Sequence, residues 1–122
     1  MAKAKESFGR AHRLALDRKK HGGDVEAMLG TILSNYGHTL RKAREYPAAI
    51  DMFAKAVETA PRNPDYHASL AFTLHCAGRY DEAIRAYHTS LVLKDDPFVT
   101  EFLQSCLAES YTHSNLAGMP HV

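Results

Sequence analysis

The segment GHTLRKAREYPAAIDMFAKA at residues 37–56 aligns with AFTLHCAGRYDEAIRAYHTS at residues 71–90 when the chain is shifted by 34 positions. Most of the identical positions carry small, apolar or aromatic side chains at helical spacing. The identities pair Thr39 with Thr73, Leu40 with Leu74, Ala43 with Ala77, Tyr46 with Tyr80, Ala49 with Ala83 and Ile50 with Ile84. A period of 34 residues is the length of one helix–turn–helix unit, so the sequence predicts two helical hairpins in tandem.

The first repeat indicates how such a hairpin would close. Its first helix is predicted over about residues 26–42, with Leu33 and Leu40 on one face. Gly37 lies inside that helix, where glycine costs roughly 1 kcal/mol relative to alanine. We expect glycine at this position because, without a Cβ, it lets the second helix approach closely. That second helix is predicted over about residues 46–59.

Small residues facing a large aromatic residue recur in both repeats and are predicted to hold each hairpin together. A proline after the second helix ends the first repeat. These structural positions are Gly37, Ala49, Phe53 and Pro61 in the first repeat, and Ala71, Ala83 and Tyr87 in the second.

The flanking segments extend the pattern to about six helices. Residues 1–23 are predicted to form the second helix of a preceding partial repeat and a loop, and residues 98–113 a capping helix. The complete repeats would occupy residues 24–63 and 64–97, and residues 114–122 a flexible tail. The predicted fold is therefore all-α, a right-handed solenoid of antiparallel helix pairs.

The composition excludes several classes of protein. The 122 residues are 45% hydrophobic, which is enough for a packed core, and 15 basic against 14 acidic residues leave a net charge of +1. This balance argues against a strongly cationic nucleic-acid binder. No apolar run approaches the roughly 20 residues of a membrane span, and the first residues lack the apolar core of a secretory signal. Cys76 and Cys106 are too few for a disulfide framework and are expected to be small buried residues in a reducing compartment.

The side chains at these spacings resemble the tetratricopeptide repeat, a helical hairpin module. The residues that carry this resemblance are Leu33, Tyr36, Gly37, Leu40, Ala49, Phe53, Ala56, Pro61, Leu70, Ala71, Leu74, Ala83 and Tyr87. A more specific resemblance lies in the polar residues. The stretch NYGH at residues 35–38, followed by Arg41 and Lys42, is similar to a C-terminal repeat of the subunit-six family of the anaphase-promoting complex (cyclosome). The stretch YHTSL at residues 87–91, followed by two aspartates and Phe98, continues the similarity.

That resemblance implies a non-catalytic scaffold of a ubiquitin ligase that controls the cell cycle and mitosis. It implies protein partners, namely other subunits of a multi-subunit complex, and a location in the nucleus and cytoplasm. The family holds an extended peptide of a small partner subunit in the concave groove of its C-terminal repeats, so a peptide is expected here too. No cofactor, nucleic acid or membrane is implied. Self-association through exposed terminal helices stays open.

The concave face of such a solenoid is lined by the first helix of each repeat, so residues there that turn away from the second helix are candidates for peptide binding. Histidine and arginine would donate to peptide carbonyls. Phe72 would either be an apolar anchor or seal against the neighbouring helix, and the last helix offers Glu101 and Ser105. The candidate groove residues are Ser34, His38, Arg41, Lys42, Ala68, Phe72 and His75.

Two other functions compete with this interpretation. A generic peptide receptor or co-chaperone adaptor of the same fold would clamp a terminal carboxylate with lysine and asparagine. The corresponding places here hold Ser34, His38, Ala68 and Ser69 instead, so a carboxylate clamp of this kind is not expected. An enzyme or metal protein could draw on eight histidines, but their spacing is not typical of a metal site and no catalytic motif is visible. The sequence therefore predicts no catalytic residue and no metal ligand.

Overall fold

The computed structural model describes residues 23–118. Within them the chain forms five α-helices and no β-strand, which confirms the all-α prediction. The helices are α1 (Gly23–Lys42), α2 (Tyr46–Thr59), α3 (Pro64–Cys76), α4 (Tyr80–Leu93) and α5 (Pro97–Gly118). The helix and loop predicted for residues 1–23 lie outside the described residues except for Gly23, as do residues 119–122.

Short polar side chains and prolines determine where several helices begin. The Asn63 side chain accepts a hydrogen bond of 2.9 Å from the Asp65 amide at the start of α3. Asp96 accepts one of 3.0 Å from the Phe98 amide at the start of α5. Such caps satisfy amides that have no acceptor inside the helix. Pro47 lies in the first turn of α2, where its missing N–H would have had no helical acceptor either.

The two hairpin turns close with the same backbone arrangement, 34 residues apart. In each turn an amide donates to a leucine carbonyl at 2.9 Å, and the residue before the donor has a positive φ. That φ is 61° at Arg44 and 78° at Gly78. This helix ending favours glycine because a left-handed backbone crowds a Cβ, so the first turn carries strain that the second lacks. The two bonds join Glu45 to Leu40 and Arg79 to Leu74.

Gly37 lets α1 and α2 pack closely. A Cβ at Gly37 would come within 2.8 Å of the ring of Phe53, which is fully buried. In the second hairpin Tyr87 is the matching ring and is also fully buried, in a cluster that includes Ala71. Of the other predicted structural positions, Ala49, Ala71 and Ala83 are fully buried and Pro61 is exposed in the turn after α2.

The hairpins stack through side chains of α3 and α5. Helix α3 contributes Tyr66 and Leu70 to the core of the first hairpin. Helix α5 contributes Val99, Leu103 and Cys106 to the core of the second. Each element thus covers apolar surface that a single hairpin would leave in water, which is how a helical repeat array is stabilised.

Two details differ from the sequence prediction. Cys76, the last residue of its helix α3, is exposed rather than buried, whereas Cys106 is buried as predicted. Helix α5 runs to Gly118, so residues 114–118 of the predicted tail are helical. Neither glycine nor proline occurs between Phe98 and Gly118, so the helix meets no stop signal earlier.

Candidate functional site

The alternate helices α1, α3 and α5 together line an open cavity of about 260 Å³. The main contacts from each helix lie three or four positions apart, and such residues share one helix face. The cavity is lined by His38 and Arg41 of α1, Ala68, Ser69 and Phe72 of α3, and Val99 and Phe102 of α5.

Four of the predicted groove residues meet in this cavity, namely His38, Arg41, Ala68 and Phe72. Ser34, Lys42 and His75 do not line it, so a groove role for these three stays a prediction. Ser34 is half-buried on α1, whereas Lys42 is exposed at the end of the same helix.

Sequence reasoning missed the contribution of α5. Glu101 and Ser105, the residues named for this helix, are exposed and do not line the cavity, whereas Val99 and Phe102 do. The apolar stripe of the last helix was the available signal. Which edge of that stripe faces α3 depends on how α5 packs on α4, and periodicity alone does not determine this.

Arg41 supplies the positive charge of the cavity. Its guanidinium carbon lies 5.1 Å from the centroid of the Phe72 ring, a cation–π contact. Its Nη2 donates to Nδ1 of His38 at 3.2 Å. Its Nε is buried and, among the described residues, has no hydrogen-bond acceptor. Because a guanidinium carries five N–H donors, Arg41 retains donor capacity that this part of the protein does not use.

Arg41 fixes the tautomer of His38. A guanidinium can only donate, so Nδ1 of His38 accepts and the proton of the neutral ring lies on Nε2. Burial lowers the pKa of His38, and the positive charges of Arg41 and Lys42 lower it further. The ring also packs edge-on against Phe53, with centroids 4.9 Å apart. His38 is therefore neutral at pH 7 and connects the cavity to the core of the first hairpin.

Phe72 lines the cavity and also contacts the next helix. Its ring centroid lies 5.4 Å from that of Phe102 on α5. The sequence left an anchor role and a sealing role open for Phe72, and its position permits both. Phe102 is 44% exposed, so this aromatic pair presents apolar surface to solvent.

His75 belongs to a hydrogen-bonded chain that joins three helices. Its Nε2 lies 2.8 Å from the Glu109 carboxylate of α5, and its Nδ1 lies 3.1 Å from the Tyr87 hydroxyl of α4. A carboxylate accepts, so Nε2 carries a proton, and in the neutral ring Nδ1 accepts from Tyr87. The His75 side chain is only 11% exposed. This position therefore stabilises the packing of α3, α4 and α5.

The order carboxylate, imidazole, hydroxyl also occurs in catalytic triads, but the burial of Tyr87 argues for a structural role here. The Tyr87 side chain is fully buried, which keeps its hydroxyl away from any substrate. Burial is also the main reason that the pKa of Tyr87 is raised far above its usual value, with smaller contributions from Cys106, Cys76 and Glu109.

Between residues 23 and 118, no three histidine, cysteine, aspartate or glutamate side chains lie close enough together to hold a metal ion. None of the five helices combines the length and the apolar content that a membrane span requires.

A family model for the tetratricopeptide repeat matches residues 52–85, which extend from α2 through α3 into α4. This chain carries a tetratricopeptide repeat. The match spans the junction between the two hairpins, where α3 packs on α2. The solenoid of helical hairpins predicted from the 34-residue period is confirmed.

Curated relatives give a more specific similarity. Anaphase-promoting complex subunit 6 of Dictyostelium discoideum is 37% identical over 76 residues, which cover 62% of this chain and 9% of the relative. The human cell division cycle protein 16 homolog is 30% identical over 77 residues, 62% of this chain and 12% of the relative. Anaphase-promoting complex subunit CDC16 of Saccharomyces cerevisiae is 33% identical over 91 residues, 74% of this chain and 11% of the relative.

These matches confirm the resemblance to subunit six of the anaphase-promoting complex. The aligned part of this chain spans about a tenth of the length of these relatives. The similarity therefore concerns a few repeats of much longer proteins.

Proposed function

We propose that this chain is a non-catalytic protein-interaction scaffold that holds an extended peptide of a partner protein on the face formed by α1, α3 and α5. The observation that carries the proposal is the cavity on that face, which combines an aromatic pair with an arginine whose Nε has no acceptor in the described part of the chain. Tetratricopeptide repeats and relatives named as anaphase-promoting complex subunits support a scaffold within a complex of that kind. The proposal includes a role in cell division and ubiquitin conjugation, in the nucleus and cytoplasm.

The chemistry of the cavity suits an extended peptide. Such a peptide exposes backbone carbonyls along its length and turns alternate side chains to one face. Arg41 provides the donors, and the rings of Phe72 and Phe102 provide an apolar surface for one of those side chains. Aromatic and arginine side chains carry much of the binding free energy of protein interfaces.

The polar groups of the cavity support binding rather than catalysis. His38 is the candidate base, but its Nδ1 already accepts from Arg41 and its pKa is lowered by burial. Within the described residues, no hydrogen bond joins His38 to Ser69, the hydroxyl that shares the cavity with it. A catalytic pair would need the nucleophile and its base to be in hydrogen-bond contact.

Affinity capture with matched variants tests the proposal. The 122-residue chain, tagged, would be used to capture proteins from extracts of dividing cells, and bound proteins would be identified by mass spectrometry. We expect subunits of the anaphase-promoting complex to be captured, and Phe102→Glu to reduce the capture at least severalfold, because it places a charge in the aromatic wall of the cavity. Val92→Glu is the control, because Val92 is 86% exposed on α4 and does not line the cavity.

Three results would contradict the proposal. The first is that none of these subunits is captured. The second is that Phe102→Glu and Val92→Glu have equal effects, because the cavity would then play no part. The third is selective binding of a chaperone C-terminal peptide, which would instead favour a co-chaperone adaptor. Circular dichroism of both variants checks that each retains its helices.

A further inference from the structure

The cavity has one apolar side and one charged side. The apolar side is formed mainly by Phe72, Val99 and Phe102, with the two aromatic rings 5.4 Å apart. At about 260 Å³ the cavity lies just below the range of roughly 300–1,000 Å³ that is typical of small-molecule sites. This size suits one large apolar side chain of a peptide better than a whole cofactor.

The charged side is Arg41, which has no acidic partner among the described residues. No carboxylate lines the cavity, and within residues 23–118 no ion pair joins Arg41 to an acidic side chain. Its Nη2 donates to His38, which is a neutral acceptor, and its buried Nε donates to nothing in that range. A buried donor without an acceptor is unfavourable. A ligand that offered the guanidinium a new acceptor would reduce this free-energy cost.

The local charge favours a carboxylate as that acceptor. Arg41 and the adjacent Lys42 both lower the pKa of His38, after the larger effect of burial, so their positive field reaches the cavity wall. A carboxylate can pair with the planar guanidinium through two parallel hydrogen bonds, whereas a neutral carbonyl or amide oxygen gains less from the charge.

The distance between the apolar and the charged side of the cavity determines how far apart the two matching side chains of a peptide must be. The guanidinium carbon of Arg41 lies 5.1 Å from the centre of the Phe72 ring, so the two sides of the cavity are adjacent. In an extended peptide, side chains two positions apart share a face and lie roughly 6.5 Å apart, whereas successive side chains point to opposite faces.

We propose that this cavity selects peptides in which a large apolar residue and an acidic residue stand two positions apart. The apolar side chain packs on the surface that the rings of Phe72 and Phe102 form together, and the carboxylate pairs with Arg41. This inference rests on the proposed peptide-binding function and specifies the ligand class of the same site.

Synthetic decapeptides provide the probes for a test by nuclear magnetic resonance. The parent peptide carries Leu-Ser-Glu in the middle of a Gly/Ser chain, and a second peptide carries the reverse order, Glu-Ser-Leu. Matched peptides replace Glu by Gln, replace Leu by Ser, or place Leu and Glu next to each other. Each is titrated into the isotope-labelled 122-residue chain, and the amides of Val99 and Phe102 and the side-chain Nε–H of Arg41 are followed.

We expect at least one order of Leu and Glu to shift all three signals and to bind about tenfold more tightly than its Gln counterpart, a difference that corresponds to about 1.4 kcal/mol. The Ser-substituted and adjacent-residue peptides should bind more weakly as well. Arg41→Lys should remove most of the preference for Glu over Gln, whatever its effect on the binding of the Gln peptide. Arg85→Lys is the matched control, because Arg85 is exposed on α4, and it should preserve the preference.

The inference is overturned if Glu and Gln peptides bind equally, if Arg85→Lys acts like Arg41→Lys, or if none of the peptides shifts the cavity signals at millimolar concentration. These outcomes are separate from failure of the proposed function. If subunit capture still depends on Phe102, the scaffold proposal stands and only the selectivity for an acidic residue is lost.

Discussion

Arg41 and His75 occupy the same place in the two repeats, 34 residues apart, yet their partners differ. His75 is paired on both ring nitrogens, with the Tyr87 hydroxyl inside the fold and the Glu109 carboxylate at its edge. Arg41 is paired with His38 but keeps a buried Nε without an acceptor in the described part of the chain. The same position therefore stabilises packing in the second repeat and leaves a donor beside the cavity in the first.

The buried aromatic residues of the two repeats, Phe53 and Tyr87, differ in a related way. Phe53 lies against Gly37, with no room for a Cβ, and has no polar group to satisfy. Tyr87 has a hydroxyl, which is satisfied by His75, and the helix that it faces carries Ala71 where the first repeat has Gly37. The second repeat also places Ser90 where the first has Ala56, and the Ser90 hydroxyl donates to the carbonyl of Pro64 at 2.9 Å. Polar atoms of the second repeat are thus used inside the fold.

Changes at the first aromatic site should have the largest effect on stability. Phe53→Ala should lower the free energy of unfolding by about 3–5 kcal/mol, because it leaves a cavity in a fully buried place. Gly37→Ala alone should cost about 1–2 kcal/mol, since overpacking outweighs the gain in helix propensity. The double variant should cost less than the sum, because the new methyl group enters the space that the ring leaves. Urea denaturation followed by circular dichroism measures all three.

Glu58→Ala serves as a control on the same helix, because Glu58 is exposed, and should change stability by no more than about 0.5 kcal/mol. Strict additivity of the Gly37 and Phe53 substitutions would contradict the close contact between them.

Removing the polar link of the second repeat should have a smaller effect. Tyr87→Phe should cost about 1–3 kcal/mol, because it leaves Nδ1 of the nearly buried His75 without its donor. In a His75→Leu background the same substitution should cost much less, since the acceptor is already gone. A double-mutant cycle by urea denaturation measures this coupling. A coupling energy near zero would show that the bond between these residues does not stabilise the fold.

Substitutions at the two hairpin turns should have the smallest effects on the free energy of unfolding, and the two effects should be opposite in sign. Gly78→Ala should cost about 1 kcal/mol, because its φ of 78° crowds a Cβ. Arg44→Gly should instead gain about 0.5 kcal/mol, since relief of the left-handed strain exceeds the added flexibility of the unfolded chain. Thermal unfolding of both variants measures the two shifts, and a loss of stability in Arg44→Gly would contradict this account of the first turn.

Much of the scaffold could be predicted because it follows from local rules. The predicted second helix at residues 46–59 agrees with α2 (Tyr46–Thr59), since Pro47 favours a helix start at this point and the chain turns at Pro61. The close contact at Gly37 could be expected from the cost of glycine inside a helix. The candidate site was harder, because it is shared by three helices that are distant in sequence. His38 and Arg41 lie on the expected face of α1, but the wall formed by Val99 and Phe102 depends on the rotation of α5.

The sequence by itself determined the helices, the 34-residue period and the small residues at which helices meet, because propensity, capping and apolar spacing act over a few neighbouring residues. Only the tertiary structure decided which polar side chains are satisfied within the fold. His75 and Arg41 hold equivalent places in the repeat, and their difference arises because Tyr87 and Glu109 reach His75, whereas the Nε of Arg41 meets no acceptor among the described residues. Hydrogen bonding requires correct distance and direction between groups far apart in the chain, and these are fixed only when the hairpins stack.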